Sequence, residues 1–384
     1  MRYAPIPDAL VPLIVGAALA GAVAAVEPLG AVGGRGSFTI TPPDPPNGGI
    51  LFVDQSRANR SSHLGHALVE YGPGKILAFY PTCSGEKGGL PWMGPEWAGH
   101  NADGWMEYRR SADGGRTWSE PAVLEYSKRA YDQRQGRSIF CEKAVLAADG
   151  TVVLFNLECD IATNTDWNPT FTPTVSRSGD GGETWSEPQE LGNLPGRVFD
   201  ALMVKGTILA FNHHRADRVH VLYASGDHGK SFAPRSRLPF HGRSYGTMEM
   251  LQDGRLIAYV YNPADEQRLE YVLSGDGGVS WGKPQTAFFA KKIRNPQIAA
   301  FKGGYVLHGR SGHVGTDRGD LGHLVLYTSP DGVNWDEGRY LCLKTAGAAA
   351  YSNNLLVDGG RRLLIQASHA YDRSKTNVLH WWLE

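Results

Sequence analysis

Ser111-Ala112-Asp113-Gly114-Gly115-Arg116-Thr117-Trp118 and Ser178-Gly179-Asp180-Gly181-Gly182-Glu183-Thr184-Trp185 are two copies of one pattern. Three more follow: Ser225-Gly226-Asp227-His228-Gly229-Lys230-Ser231-Phe232, Ser274-Gly275-Asp276-Gly277-Gly278-Val279-Ser280-Trp281 and the shorter Ser329-Pro330-Asp331-Gly332-Val333-Asn334-Trp335. A turn that recurs at intervals of roughly 50 to 65 residues marks a repeat architecture. Aspartate accepts hydrogen bonds from nearby backbone, and the paired glycines tolerate positive φ, so the pattern suits a tight turn. The closing Trp or Phe anchors each unit against a neighbour. The aspartates are therefore read as structural and not as catalytic carboxylates.

Each unit repeats one order: an apolar strand, a Gly-centred turn, a second strand, a third strand, the turn motif and a fourth strand. In the first unit the motif is followed by an expected strand over Ala122–Tyr126. After the fifth motif the chain offers three further strands, ending in Asn377–Leu383, and no sixth motif. Upstream, Gly49-Ile50-Leu51-Phe52-Val53 stands unassigned. A closed ring leaves no exposed edge, so this strand should complete the last unit. The expected fold is an all-β, six-bladed β-propeller over residues 47–384.

The chain has 384 residues, 41% of them apolar, enough to bury a substantial core. Its formal net charge of -1 supplies no field that would attract nucleic acid or a membrane surface. Arg2 precedes an apolar run from Leu10 to Val26 that closes on small residues, so residues 1–25 read as an export signal, with an uncleaved anchor as the alternative. Residues 26–46, rich in Gly and Pro, read as a disordered linker. A secreted or periplasmic location follows. Cys141 and Cys159 flank the Asp149-Gly150 turn, so either a cross-strand disulfide or two buried thiols fits them. No Cys/His spacing suggests a metal site, and no cofactor is expected.

The repeated turn resembles the Asp box of sialidase-type propellers. In such folds the residues just before each inner strand and just after each second strand line a pocket on the axis. Those slots hold Arg60, His63, Glu142, Asp200, Tyr245, Glu249, Arg294, His308, Arg310, Tyr351 and Asn353. So polar a set suits an anionic sugar better than an apolar ligand. Tyr351-Ser352-Asn353 resembles the Tyr-Ser segment that opens the last blade of exo-sialidases, which implies Tyr351 as nucleophile. Sialidases depart from the two-carboxylate rule of glycosidases. An aspartate approaching the carboxylate-bearing anomeric carbon would meet repulsion on the order of 4 kcal/mol at 4 Å.

Asp103-Gly104-Trp105 is similar to the segment that carries the family's general acid/base, with Glu86 as the substitute. The resemblance also implies three arginines for the substrate carboxylate, represented by Arg60, Arg310 and Arg318. Arg318 stands thirteen residues before Asp331. Departures are visible: Arg60-Ser61-Ser62-His63 replaces the family's Arg-Ile-Pro segment, and Tyr245 stands near the family's activating glutamate, with Glu249 offset. Arg294 offers a replacement arginine. The expected activity is an exported exo-glycosidase that hydrolyses a terminal acidic sugar. Alternatives are a lyase of uronic-acid polymers, using His63, His213, Tyr245 and Arg294, and a non-catalytic glycan- or protein-binding propeller.

Overall fold

The computed structural model describes residues 37–43, 48–90, 93–133, 136–161, 167, 169–312 and 322–384. The expected export signal, most of the expected linker, and Arg318 lie outside the described residues. The rest forms six antiparallel sheets. Their innermost strands are Leu68–Gly72, Arg137–Leu146, Gly196–Val204, Ser244–Met250, Arg294–Phe301 and Ser352–Val357. Each packs against the next, and the sixth packs against the first, so the ring is closed.

Closure occurs where the free edge demanded it. Ile50–Val53 pairs antiparallel with the C-terminal strand Lys375–Leu383, Ile50 opposite His380. The segment expected as linker contributes as well: Ile40–Thr41 pairs with Leu383 and Trp382, and Phe38 packs on Phe301. A second correction concerns Ala122–Tyr126. Only Ala122–Val123 is strand, and Glu125–Asp132 is an α-helix. The helix lays Tyr126 and Ser127 into the structure, and Lys128 pairs with Asp132 one turn on.

Each motif rivets its blade to the one before. In the first, Ser111 donates to Asp113, whose carboxylate accepts from the N–H groups of Arg116 and Thr117 and from the Thr117 hydroxyl. Gly115, at φ 82°, comes so close to blade six that a Cβ would lie 2.5 Å from Trp382. Glycine is therefore required there. Preceding blades also bond to the turn carbonyls: Tyr108 donates to Gly182 O at 3.0 Å and Tyr259 to Gly332 O at 2.6 Å. The motif aspartates are thus spent on their own turns.

The axis itself is polar. Lys143 of blade two pairs with Asp200 of blade three at 2.9 Å and donates to Gln297 of blade five and Asn353 of blade six. Asp200 in turn accepts from Thr247 and from the Met248 N–H of blade four. Five blades are tied through one buried ion pair. The cysteine alternative resolves against a bridge: Cys141 stands opposite Asn156 and Cys159 opposite Ser138. The offset of three positions is roughly 10 Å along the strand, beyond disulfide reach. All four thiols are free and buried.

Lys143→Met leaves Asp200 charged and buried, and should cost about 3–5 kcal/mol in denaturant unfolding. Adding Asp200→Asn should recover part of that loss; no recovery would show that the pair does not carry the effect. Burial also keeps several imidazoles neutral, pulling His66 down to about 4 and His100, His308 and His380 down to about 3. Below the unfolded value of 6.5 the unfolded chain takes protons that the folded one refuses. Stability should be complete above pH 6.5 and fall as pH drops toward 3, which a series of unfolding curves will measure.

Candidate active site

Four inner strands carry the same irregularity at the same level. The register shifts between Cys141 and Lys143, between Val198 and Asp200, between Ser244 and Gly246, and between Arg294 and Gln297. The extra residues are Glu142, Phe199, Tyr245 and Asn295-Pro296, and every one lines the cavity on the axis. A bulge re-aims a side chain that regular pleating would send elsewhere. Tyr245 and Asn295 reach the left-handed region, φ 33° and 53°, a costly conformation for a tyrosine. Blade six uses a different device: Ala350, at φ 65°, turns the chain so that Tyr351 enters the cavity.

The cavity is small, about 40 Å³. Arg197 lines it, and two more guanidinium groups, Arg294 and Arg310, stand against the lining tyrosines Tyr245 and Tyr351. The Arg310 guanidinium carbon lies over Tyr351, 3.9 Å from the ring centre, and its Nε donates to Ala349 O. Arg294 and Arg197 both stand against Tyr245, at 5.3 and 5.6 Å. Arg197 also grips Glu142, giving Oε2 bonds of 2.8 and 2.6 Å from Nε and Nη2, while Glu142 Oε1 and Arg294 Nε have no hydrogen-bond partner. Behind Tyr351 sits the His63 ring, 4.8 Å away, with His100 4.1 Å beyond. Both His63 nitrogens are buried without partners.

The two tyrosines feel the same cations differently. For Tyr351 burial dominates and pushes the phenol up to about 12, against the pull of Arg310. For Tyr245 burial also pushes upward, but Arg294, Arg197 and Arg310 together outweigh it and hold the phenol below its usual value. Burial raises the Glu142 carboxyl while Arg197 opposes it. Burial lowers the Arg310 guanidinium, with Arg294 adding to the effect.

The structure thus brings together Tyr351, Tyr245, Glu142, Asn353, Arg294, Arg310 and His63. Four other candidates do not line the cavity. Arg60 stacks on Trp105 at 4.5 Å and donates to Thr82 O. Asp103 is ion-paired with Lys87 and is not among the cavity residues. Glu249, raised to about 7 by burial, accepts from the N–H groups of Met250 and Ala300 and does not line the cavity either. Glu86 is exposed.

Arg197 was missed. Its strand starts at Gly196, not at Ala201, so the mouth position falls to Arg197 and Asp200 goes down the axis. Among the described residues no group of His, Cys, Asp and Glu is arranged to hold a metal ion.

Six blades, Asp boxes and a cation-lined axial cavity define a propeller of the sialidase type. The chain belongs to the BNR repeat-like domain family, whose model matches residues 92–365. Among solved structures it is similar to a protein of unknown function from Dyadobacter fermentans, with 16% identity over 87% of this chain and 97% of that one, TM-score 0.65. A point mutant of the NanB sialidase of Streptococcus pneumoniae shares 13% identity over 88% and 70% of the two chains, TM-score 0.61. An alpha-L-arabinanase of Penicillium chrysogenum shares 14% over 88% and 97%, TM-score 0.55. No curated protein sequence matches the chain. Likeness at this identity concerns the fold.

The cation field around Tyr245 is directly measurable. In an ultraviolet titration of the native protein, tyrosinate absorbance should begin to rise below the ordinary tyrosine value of about 10. Tyr245→Phe should abolish that first step; its persistence would place the acidic phenol elsewhere.

Proposed function

We propose that the protein is a glycoside hydrolase of the sialidase type that removes a terminal acidic sugar, sialic acid or a relative, from a glycan. The supporting observation is the gathering of Arg197, Arg294 and Arg310 around Tyr245 and Tyr351. Guanidinium forks match a carboxylate in shape and charge. Arg294 and Arg310 are assigned the carboxylate, since Arg197 is already engaged by Glu142.

Tyr351 is assigned the nucleophile. Its oxygen forms a bond to the anomeric carbon while the glycosidic bond breaks and its electron pair leaves with the aglycone oxygen. Water then releases the sugar with retention. Tyr351 must lose its proton as it attacks. Tyr245, whose ionised form the arginines favour, takes the base role that the resemblance gives to a carboxylate. Asp103 remains the proposed acid, and its pair with Lys87 has to open before it can carry a proton. Export, expected from residues 1–25, would bring the enzyme to extracellular glycans.

A second reading, a lyase acting on uronic-acid polymers, is favoured by one observation. A tyrosine held below its usual value beside arginines is also what abstraction of a proton next to a carboxylate requires. An α-linked fluorogenic sialoside separates the readings. The hydrolase reading expects turnover by the intact protein, none by Tyr351→Phe, and a KM about 10- to 100-fold higher in Arg294→Ala. Turnover that survives in Tyr351→Phe overturns the nucleophile. An ultraviolet-absorbing unsaturated product from a uronic-acid polymer establishes the lyase. Binding of either probe without product leaves a binding propeller.

A further inference from the structure

The helix Glu125–Asp132 departs from the repeat: it sits between blades one and two and is the one α-helix among the described residues. Next to it run the first two strands of blade two, Arg137–Leu146 and Val152–Asp160. Insertions into a repeat often lie on its binding face. Together with Thr170–Thr174 the helix and these strands line an open cleft of about 470 Å³, larger than the axial cavity. The strand Arg137–Leu146 serves both, with Ile139 in this cleft and Glu142 in the axial cavity.

The lining is built as a site and not as a core. Glu158 is 1% exposed, and burial raises its carboxyl; it pairs with one guanidinium, Arg137, at 3.0 Å and has a further hydrogen bond to Thr174. The Arg137 side chain is 40% exposed, so the pair opens onto the cleft and the ring itself gains little from it. The Arg137 guanidinium carbon lies over Phe171, 4.2 Å from the ring centre, a contact that helps hold its position. Across the cleft Arg129 and Glu187 form a second pair, both oxygens at 2.6 Å.

We propose that this cleft is a second saccharide-binding site, for an uncharged, hydroxyl-rich sugar. Fixed guanidinium and carboxylate forks offer paired donors and acceptors to neighbouring hydroxyls. Arg129 and Arg137 stand against Glu158, Glu187 and Glu190, so the lining carries no surplus of cations that would hold an anionic sugar. Tyr126, Phe171 and two prolines supply the apolar surface that a sugar ring face requires. The site is separate from the axial cavity and independent of turnover there.

Calorimetry on the full chain tests this with four uncharged probes: cello-, malto-, xylo- and lacto-N-tetraose. At least one should bind the intact protein and Tyr351→Phe equally. Glu158→Gln and Arg137→Ala should weaken it tenfold or more. Thr170→Trp, at the exposed rim, should block it without disturbing the Arg137–Glu158 pair, and so guards against misfolding of the other two. No binding of any probe overturns the proposal. So does binding that Thr170→Trp leaves unchanged, or binding that Tyr351→Phe removes, which would locate the sugar on the axis. Failure of sialoside hydrolysis bears only on the axial cavity.

Discussion

The Lys143–Asp200 pair is the constraint on which both the ring and its cavity depend. Six inner strands converging on one line cannot all turn apolar side chains inward and still fill the space. Here the middle is filled by one ammonium and one carboxylate whose remaining bonds reach Thr247, Gln297 and Asn353. A buried pair of this kind adds little net stability, but it is intolerant of misplacement. Strands that carry one partner each are held at one height. Asn353 then passes the constraint upward: it accepts from Lys143 and donates to the Glu142 carbonyl at the cavity floor.

Fixing the strands at one level is what makes the four bulges useful. Each inserts a residue just above the axial network, and the inserted residues differ: an acid, two aromatics, an Asn-Pro pair. A regular strand would send alternate residues into the interfaces between blades, as happens to Glu249, whose carboxylate bonds to the backbone of its own blade and the next. The repeat thus supplies a rigid ring, and small local irregularities supply the chemistry. The strain at Tyr245 is sustained because the two strands pair regularly below it.

This division explains what could be read from the sequence. The Asp boxes use only residues within one turn, so their meaning is local, and with the edge argument they fixed the blade number and the closure by Ile50–Val53. Tyr351 and Tyr245 were visible because they sit where the inner strands of blades six and four begin. Arg197 was not, because its strand starts five residues earlier than the apolar pattern suggested. Asp200 and Glu249 were misplaced by the same error of register, since bulges leave no mark in composition. Arg60 and Asp103 depend on a long loop whose side chains choose Trp105 and Lys87, and no short-range rule predicts that choice. The Cys141–Cys159 bridge failed on geometry: symmetry about a turn in sequence is not register across it.

The charge at the cavity then carries the functional argument furthest. Arg197, Arg294, Arg310 and Lys292 face Glu142 and Glu266, four cations against two carboxylates. Surplus positive charge in a buried place is unfavourable unless something answers it. In the resting protein part of the answer is Tyr245, whose phenol gives up its proton more readily than an ordinary tyrosine. A bound carboxylate would answer the same cations more fully. It would also raise the proton affinity of the Tyr245 oxygen, since an anion beside a phenol disfavours its ionised form. A neutral sugar would leave the cations unanswered, so on the proposed reading the arginines favour an acidic sugar over a neutral one.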